Sequence, residues 1–203
     1  MPGSGQATVA HGLGVAPEMI ITKDLESTQP WITYAAPVTD TTSKYLRLNT
    51  TGGVATYSTI WGAALPTSSV FGVTYDGLAA DNDLVAYCFA SIDGYSKIGS
   101  FEGNNNADGT FVYTGFRPAY ILIKYADNDD ESWWIIDNKR SPFNEVDDIL
   151  WANLSAAEYD YAPSDFLANG FKLRTTNVGL NGHAGTYIYM AFAEFPFKYS
   201  NAR

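Results

Sequence analysis

The sequence predicts an all-β fold assembled from two internally repeated halves, and three observations carry that prediction. Short β-branched and aromatic runs with a two-residue period dominate the chain, separated by Gly, Asn, Asp and Pro clusters that mark turns. The run Gly14-Val15-Ala16-Pro17-Glu18-Met19-Ile20-Ile21-Thr22-Lys23 returns 101 residues later as Gly115-Phe116-Arg117-Pro118-Ala119-Tyr120-Ile121-Leu122-Ile123-Lys124. Leu84-Val85-Ala86-Tyr87-Cys88-Phe89-Ala90 returns 103 residues later as Tyr187-Ile188-Tyr189-Met190-Ala191-Phe192-Ala193, and a drift of two is what small loop insertions between paired strands produce.

Taken in order, residues 1–7 read as a linker or cloning scar, and 8–203 as a single β domain, one core shared by pseudo-repeats at about 8–101 and 110–197. Gly14 and Gly115 supply turns, and Pro17 and Pro118 stand where a strand starts, so no ladder hydrogen bond is lost. The runs then predict strands at 18–23, 31–34, 44–49, 69–75, 83–91 and 95–101 in the first half. Ser100 to Gly109, with three successive asparagines, joins the halves. The second half offers strands at 111–113, 119–125, 133–137, 149–154, 170–174 and 186–195. A helix between Asn144 and Glu158 is the alternative to the strand at 149–154. The closing strands, 84–90 and 187–193, are apolar on both faces, which places them at the centre of their sheets with cover on both sides.

Composition narrows the function classes. Hydrophobic residues at 46% and aromatics at 15% supply a core for the 203 residues, while a charged fraction of 17% leaves a surface of Thr, Ser, Asn, Gly and Tyr. Such a surface suits recognition or packed assembly. A net charge of −10 argues against nucleic acid, whose binding rests on Lys and Arg, and against an anionic membrane. No apolar run approaches the roughly 18 residues of a membrane span. Cys88 is alone and inside an apolar run, so it reads as a small buried hydrophobe without a disulfide partner in the chain.

Two constellations could carry a site. Asp127-Asn128-Asp129-Asp130-Glu131 is the densest run of oxygen ligands, and Asp127, Asp129 and Asp130 are the candidate ligands should Ca²⁺ bind; the spacing is not that of an EF-hand, and a solvated hairpin tip is the alternative. Asp76, Asp81 and Asp83 form a less specific acidic group. Trp133 and Trp134 are adjacent on a strand and point to opposite faces, which predicts one in the core and one outward. Flat aromatic faces are platforms for sugar rings, so an outward Trp beside Asp127, Asn128 and Asp129 is the expected contact residue. There is no nucleophile elbow, P-loop or His pair at metal spacing, and His11 and His183 lie in Gly-rich turns. These features predict a chain without catalytic residues; two carboxylates of a glycan-cleaving pair cannot be picked out among 22 acidic residues.

Three segments carry a family resemblance: 111–119 (Phe-Val-Tyr-Thr-Gly-Phe-Arg-Pro-Ala), 165–174 (Asp-Phe-Leu-Ala-Asn-Gly-Phe-Lys-Leu-Arg) and 187–194 (Tyr-Ile-Tyr-Met-Ala-Phe-Ala-Glu). With 10–17 and the ending 196–203, they resemble a C-terminal β-rich domain of structural proteins in marine bacteriophages, cyanophages especially. The resemblance implies a lectin-like or jelly-roll-like β-sandwich in a virion, on a tail fibre or related appendage that assembles in the host cytoplasm. It also implies a homotrimer, contacts with other virion proteins, and host recognition through a cell-surface glycan or protein. A purely structural role, in capsid decoration or a tail joint, and a polysaccharide depolymerase are the rival readings. No catalytic or ligand residue comes with the resemblance.

Overall fold

The computed structural model describes residues 7–74 and 82–196. The linker reading of the first residues, the end of the strand at Tyr75, Asp76, Asp81 and the chain ending from Phe197 lie outside the described residues. The fold is all-β, in antiparallel sheets compatible with a β-sandwich, and its one helix among the described residues has four residues. Among the described residues no helix is long and apolar enough to cross a membrane. The chain divides into two compact units, 1–90 and 91–203.

In the first unit, β1 (Ala7–Ala10), β2 (Met19–Asp24), β3 (Ile32–Ala35), β4 (Lys44–Arg47), β5 (Ala55–Thr56), β6 (Val70–Val73) and β7 (Leu84–Phe89) form two sheets. The larger has the order β5-β4-β3-β2-β7, and β1 pairs with β6 as a two-stranded ribbon. Val9, Phe71 and Val73 of the ribbon share one apolar cluster with Ile20, Ile32, Tyr34 and Cys88 of the larger sheet, so ribbon and sheet bury each other's apolar faces.

The second unit is a single sheet of eight strands: β8 (Ser96–Glu102), β9 (Phe111–Tyr113), β10 (Pro118–Tyr125), β11 (Trp133–Asp137), β12 (Val146–Trp151), β13 (Tyr159–Leu167), β14 (Gly170–Leu173) and β15 (Thr186–Ala193), with α1 (Val178–Asn181) before the last. Their order is β8-β15-β10-β11-β12-β13-β14-β9. The sheet folds back on itself. Phe171 of β14 meets Phe101 of β8 edge to face at 6.0 Å and Tyr189 of β15 at 5.5 Å, although these strands are far apart in the order. The bend starts where β12 and β13 slip register, with Val146 opposite Ser164 and Asp148 opposite Asp160. Pro163 lies in that slip, where it costs no ladder hydrogen bond.

The order β7-β2-β3-β4 of the first unit recurs as β15-β10-β11-β12 in the second. Ile20 faces Cys88 and Tyr34 in its two neighbours, as Ile121 faces Ala191 and Ile136. Gly14 and Gly115 both take positive φ, at 74° and 87°, as the turns before these strands require.

Three expectations need correction. β7 is an edge strand among the described residues, half-buried with Tyr87 49% exposed, whereas β15 is interior; the strand that covers β15 is β8, and β7 has no counterpart to it. β8, read as the close of the first repeat, pairs wholly with β15 and belongs to the second unit. The strand predicted at 149–154 runs Val146–Trp151, as a strand and not the alternative helix.

Candidate functional site

The second unit carries an open groove of about 330 Å³ where β11, β12 and β13 meet α1. Trp134 and Trp151 face each other across the β11–β12 pair, in register, with ring centroids 5.5 Å apart and planes at 66°. Tyr159 and Tyr161 alternate on β13, so both rings project to the same side. Tyr159 lies near-parallel to Trp151 at 5.8 Å and to Tyr161 at 6.3 Å, while Tyr161 lies 6.0 Å from Trp134. The four rings form one aromatic wall, with Leu154 and the 53% exposed Tyr159 at its open side.

The polar end of the groove is built by α1 and the β10–β11 loop. Asn177 caps the helix, its Oδ1 accepting from Gly179 N at 2.8 Å, and its own N–H donates to Thr175 Oγ1 at 2.9 Å. Thr175 also pairs with the Tyr161 hydroxyl, which locks that ring. A β-carbon on Gly179 would stand 2.4 Å from Glu131 Oε2 and 2.8 Å from Trp134 Nε1, so the glycine opens a space that both groups border. Trp134 is only 6% exposed and its buried Nε1–H has no hydrogen-bond partner. An orphaned buried donor costs about 1–3 kcal/mol unless a ligand or water satisfies it. Burial, aided by the Asp130 charge, pushes the Glu131 carboxyl up against the pull of Lys124. A donor and an acceptor bordering one space suit a hydroxyl group, which can accept from the indole and donate to the carboxylate. Asp130 and Glu131 line the groove, and among the described residues no Lys or Arg does.

Lys124 supports the site from behind. It is fully buried on the opposite face of the sheet, beside its cross-strand partner Trp133, and donates to the Glu131 carbonyl at 2.8 Å. Burial pulls its ammonium down to about 8, while Glu131 and Asp129 pull it back. The unfolded chain holds this proton to about pH 10.4, so between roughly pH 8 and 10 it binds more protons than the folded one, and unfolding free energy rises with pH. Lys124→Met is expected to abolish that rise, on the order of 2 kcal/mol, in a comparison of urea unfolding of the two proteins at pH 7.5 and 9.5. Cys88, whose thiol burial pushes up, cancels in the comparison. A rise of the same size in Lys124→Met would refute the assignment.

Of the residues expected at a site, the structure brings Trp134 together with Asp130, and leaves the others elsewhere. The outward Trp does not exist: Trp133 is 1% exposed, and Trp134, 6% exposed, is packed against Trp151 and Tyr161 where it lines the groove. Asp127 Oδ2 accepts from Thr186 N at 2.8 Å and pins the loop to β15, and Asn128 Oδ1 accepts from Asp129 N at 2.7 Å. Asp127, Asn128, Asp129 and Asp130 are solvent-exposed. Among the described residues no three His, Cys, Asp or Glu side chains are gathered to hold a metal ion. Tyr159, Tyr161 and Asn177 are not singled out by the sequence; the Tyr159-Asp160-Tyr161 alternation is the signal that could have found two of them.

The chain belongs to the family described as Domain of unknown function (DUF7483), whose model matches residues 1–196. No curated protein and no solved structure matches it.

Proposed function

We propose that the chain is a non-catalytic glycan-recognition module, and that the groove of Trp134, Trp151, Tyr159 and Tyr161 is its site. The carrying observation is the unpartnered, buried Trp134 Nε1–H at the end of an aromatic wall, beside the Glu131 carboxylate. A sugar ring offers both complements, an apolar face for the aromatic wall and a hydroxyl for the donor–acceptor pair. The acidic lining disfavours uronic and other anionic sugars, so neutral sugars are the class that fits. Set on a phage appendage, as the sequence resemblance implies, such a module would bind a host surface glycan and gain avidity from several copies in a trimeric fibre, flanked by other virion proteins.

The experiment is a screen of neutral and acidic bacterial-surface oligosaccharides, read by Trp fluorescence. A neutral oligosaccharide is expected to bind, with about tenfold weaker affinity in Trp151→Ala, which removes part of the wall, and in Trp134→Phe, which removes the N–H and shrinks the ring while keeping an aromatic face. Absence of binding by any neutral glycan, or wild-type affinity in both variants, would overturn the reading.

A further inference from the structure

The frame that builds this groove is also present in the first unit, with the charge reversed. There Trp31 N donates to Asn49 Oδ1 at 3.0 Å and accepts at its carbonyl from Leu48 N at 2.9 Å; in the second unit Trp133 N donates to Asn153 Oδ1 at 2.8 Å and its carbonyl accepts from Ala152 N at 3.0 Å. Ile32 faces Arg47 across β3 and β4 as Trp134 faces Trp151 across β11 and β12. Thr50 N bonds to the Arg47 carbonyl, and Leu154 N to that of Trp151, each at 3.4 Å. By this register Gln29 holds the place of Glu131 and Arg47 the place of Trp151.

A groove of about 280 Å³ opens at that position, lined by Gln29, Ile32, Tyr45, Arg47, Tyr57 and Ile60. Its polar residues invert those of the second unit: an amide replaces the carboxylate, a guanidinium replaces an indole, and among the described residues no Asp or Glu lines it. The Arg47 guanidinium lies 4.9 Å from the centre of the buried Tyr45 ring and donates to its hydroxyl, which fixes it against the groove wall. A fixed, planar fork of N–H donors matches the two oxygens of a carboxylate or phosphate. Tyr57, exposed beside it, offers a flat face to a ring.

We propose that this groove is a second ligand site, for a sugar that bears an anionic group, the anion on Arg47 and the ring against Tyr57. The site goes beyond the neutral-sugar reading of the second unit and does not require it.

The test uses the full chain and NMR amide shifts, with glucuronate, glucose 1-phosphate and glucose as probes. Glucuronate or glucose 1-phosphate is expected to shift Gln29, Arg47 and Tyr57 saturably, and the tighter of the two tells carboxylate from phosphate; glucose is not. Arg47→Gln should weaken the bound probe at least tenfold, Arg47→Lys less, because it keeps charge without the fork. Tyr57→Ala, which leaves Arg47 in place, should cost about fivefold. Trp151→Ala should leave this site unchanged, so failure here and failure of the second-unit site are distinguishable. Acetate binding as tightly as glucuronate, an unaffected Arg47→Gln, or no shift with either acid overturns the proposal.

Discussion

Replacing Asn181 with aspartate is expected to destabilise the second unit by at least 3 kcal/mol, and replacing it with alanine by about 3 kcal/mol. Asn181 ends α1 with its side chain fully buried. Its Nδ2 lies 2.9 Å from Asn104 Oδ1, 2.9 Å from Asn106 O and 2.8 Å from Thr175 O, and its Oδ1 accepts from Asn104 N at 3.0 Å. One amide thereby ties the 104–109 turn to the helix across more than seventy residues. Alanine leaves a buried carbonyl and a backbone N–H without partners, at about 1–3 kcal/mol each. Aspartate fits the same space but aims an oxygen at three acceptors, so a near-isosteric change should cost as much as truncation or more. Urea unfolding with an unchanged m-value reads both. Two variants within 1 kcal/mol of the parent would mean that the turn is held by other contacts.

What could be read from the sequence, and what could not, follows the range of the interactions involved. Met19-Ile20-Ile21 and Tyr120-Ile121-Leu122-Ile123 announce strands because alternation and β-branching are local, and both are strands with buried faces. β2 pairs with β7 and β10 with β15, the strands that hold the similar runs. β13, the longest strand among the described residues, was missed: Pro163, Asp160 and Asp165 interrupt its apolar alternation, and the proline is accommodated only by a register slip against β12, which no local pattern reveals. The short β1 and β5 exist only because a partner pairs with them. At the site, alternation correctly put Trp133 and Trp134 on opposite faces, but exposure depends on what covers each face. Tyr161 and α1, which cover Trp134, come from a strand and a helix that were not foreseen. The acidic loop was legible as a loop; that Asp127 bonds to Thr186 while Asp130 borders the groove is tertiary information.

The same limit explains why a single methyl group should be costly at a glycine whose surroundings only the folded chain brings close. Gly103→Ala is expected to cost about 3–5 kcal/mol. Its new β-carbon would stand 2.1 Å from the Gly182 carbonyl oxygen, 2.8 Å from the Asn181 carbonyl carbon and 2.9 Å from the Tyr187 ring. None of these can yield cheaply. Gly103 is fixed to the opposing turn by its N–H to Gly185 O at 2.9 Å and by its carbonyl, which accepts from Ala184 N at 3.1 Å. Tyr187 is stacked between Phe101 at 5.1 Å and Tyr125 at 4.8 Å, while its hydroxyl donates to the Val178 carbonyl and accepts from Gly182 N. Gly115 makes the contrast: φ of 87° strains any other residue, yet its nearest neighbour would be Tyr113 Oη at 3.7 Å, so Gly115→Ala should cost only about 1 kcal/mol. Thermal or urea unfolding of the two variants orders them. If Gly115→Ala were the costlier, backbone conformation rather than close approach would govern the glycines of this fold. Because Gly103 meets Asn181 where the turn packs on the helix end, their double variant should lose less than the sum of the single losses, the mark of one coupled junction.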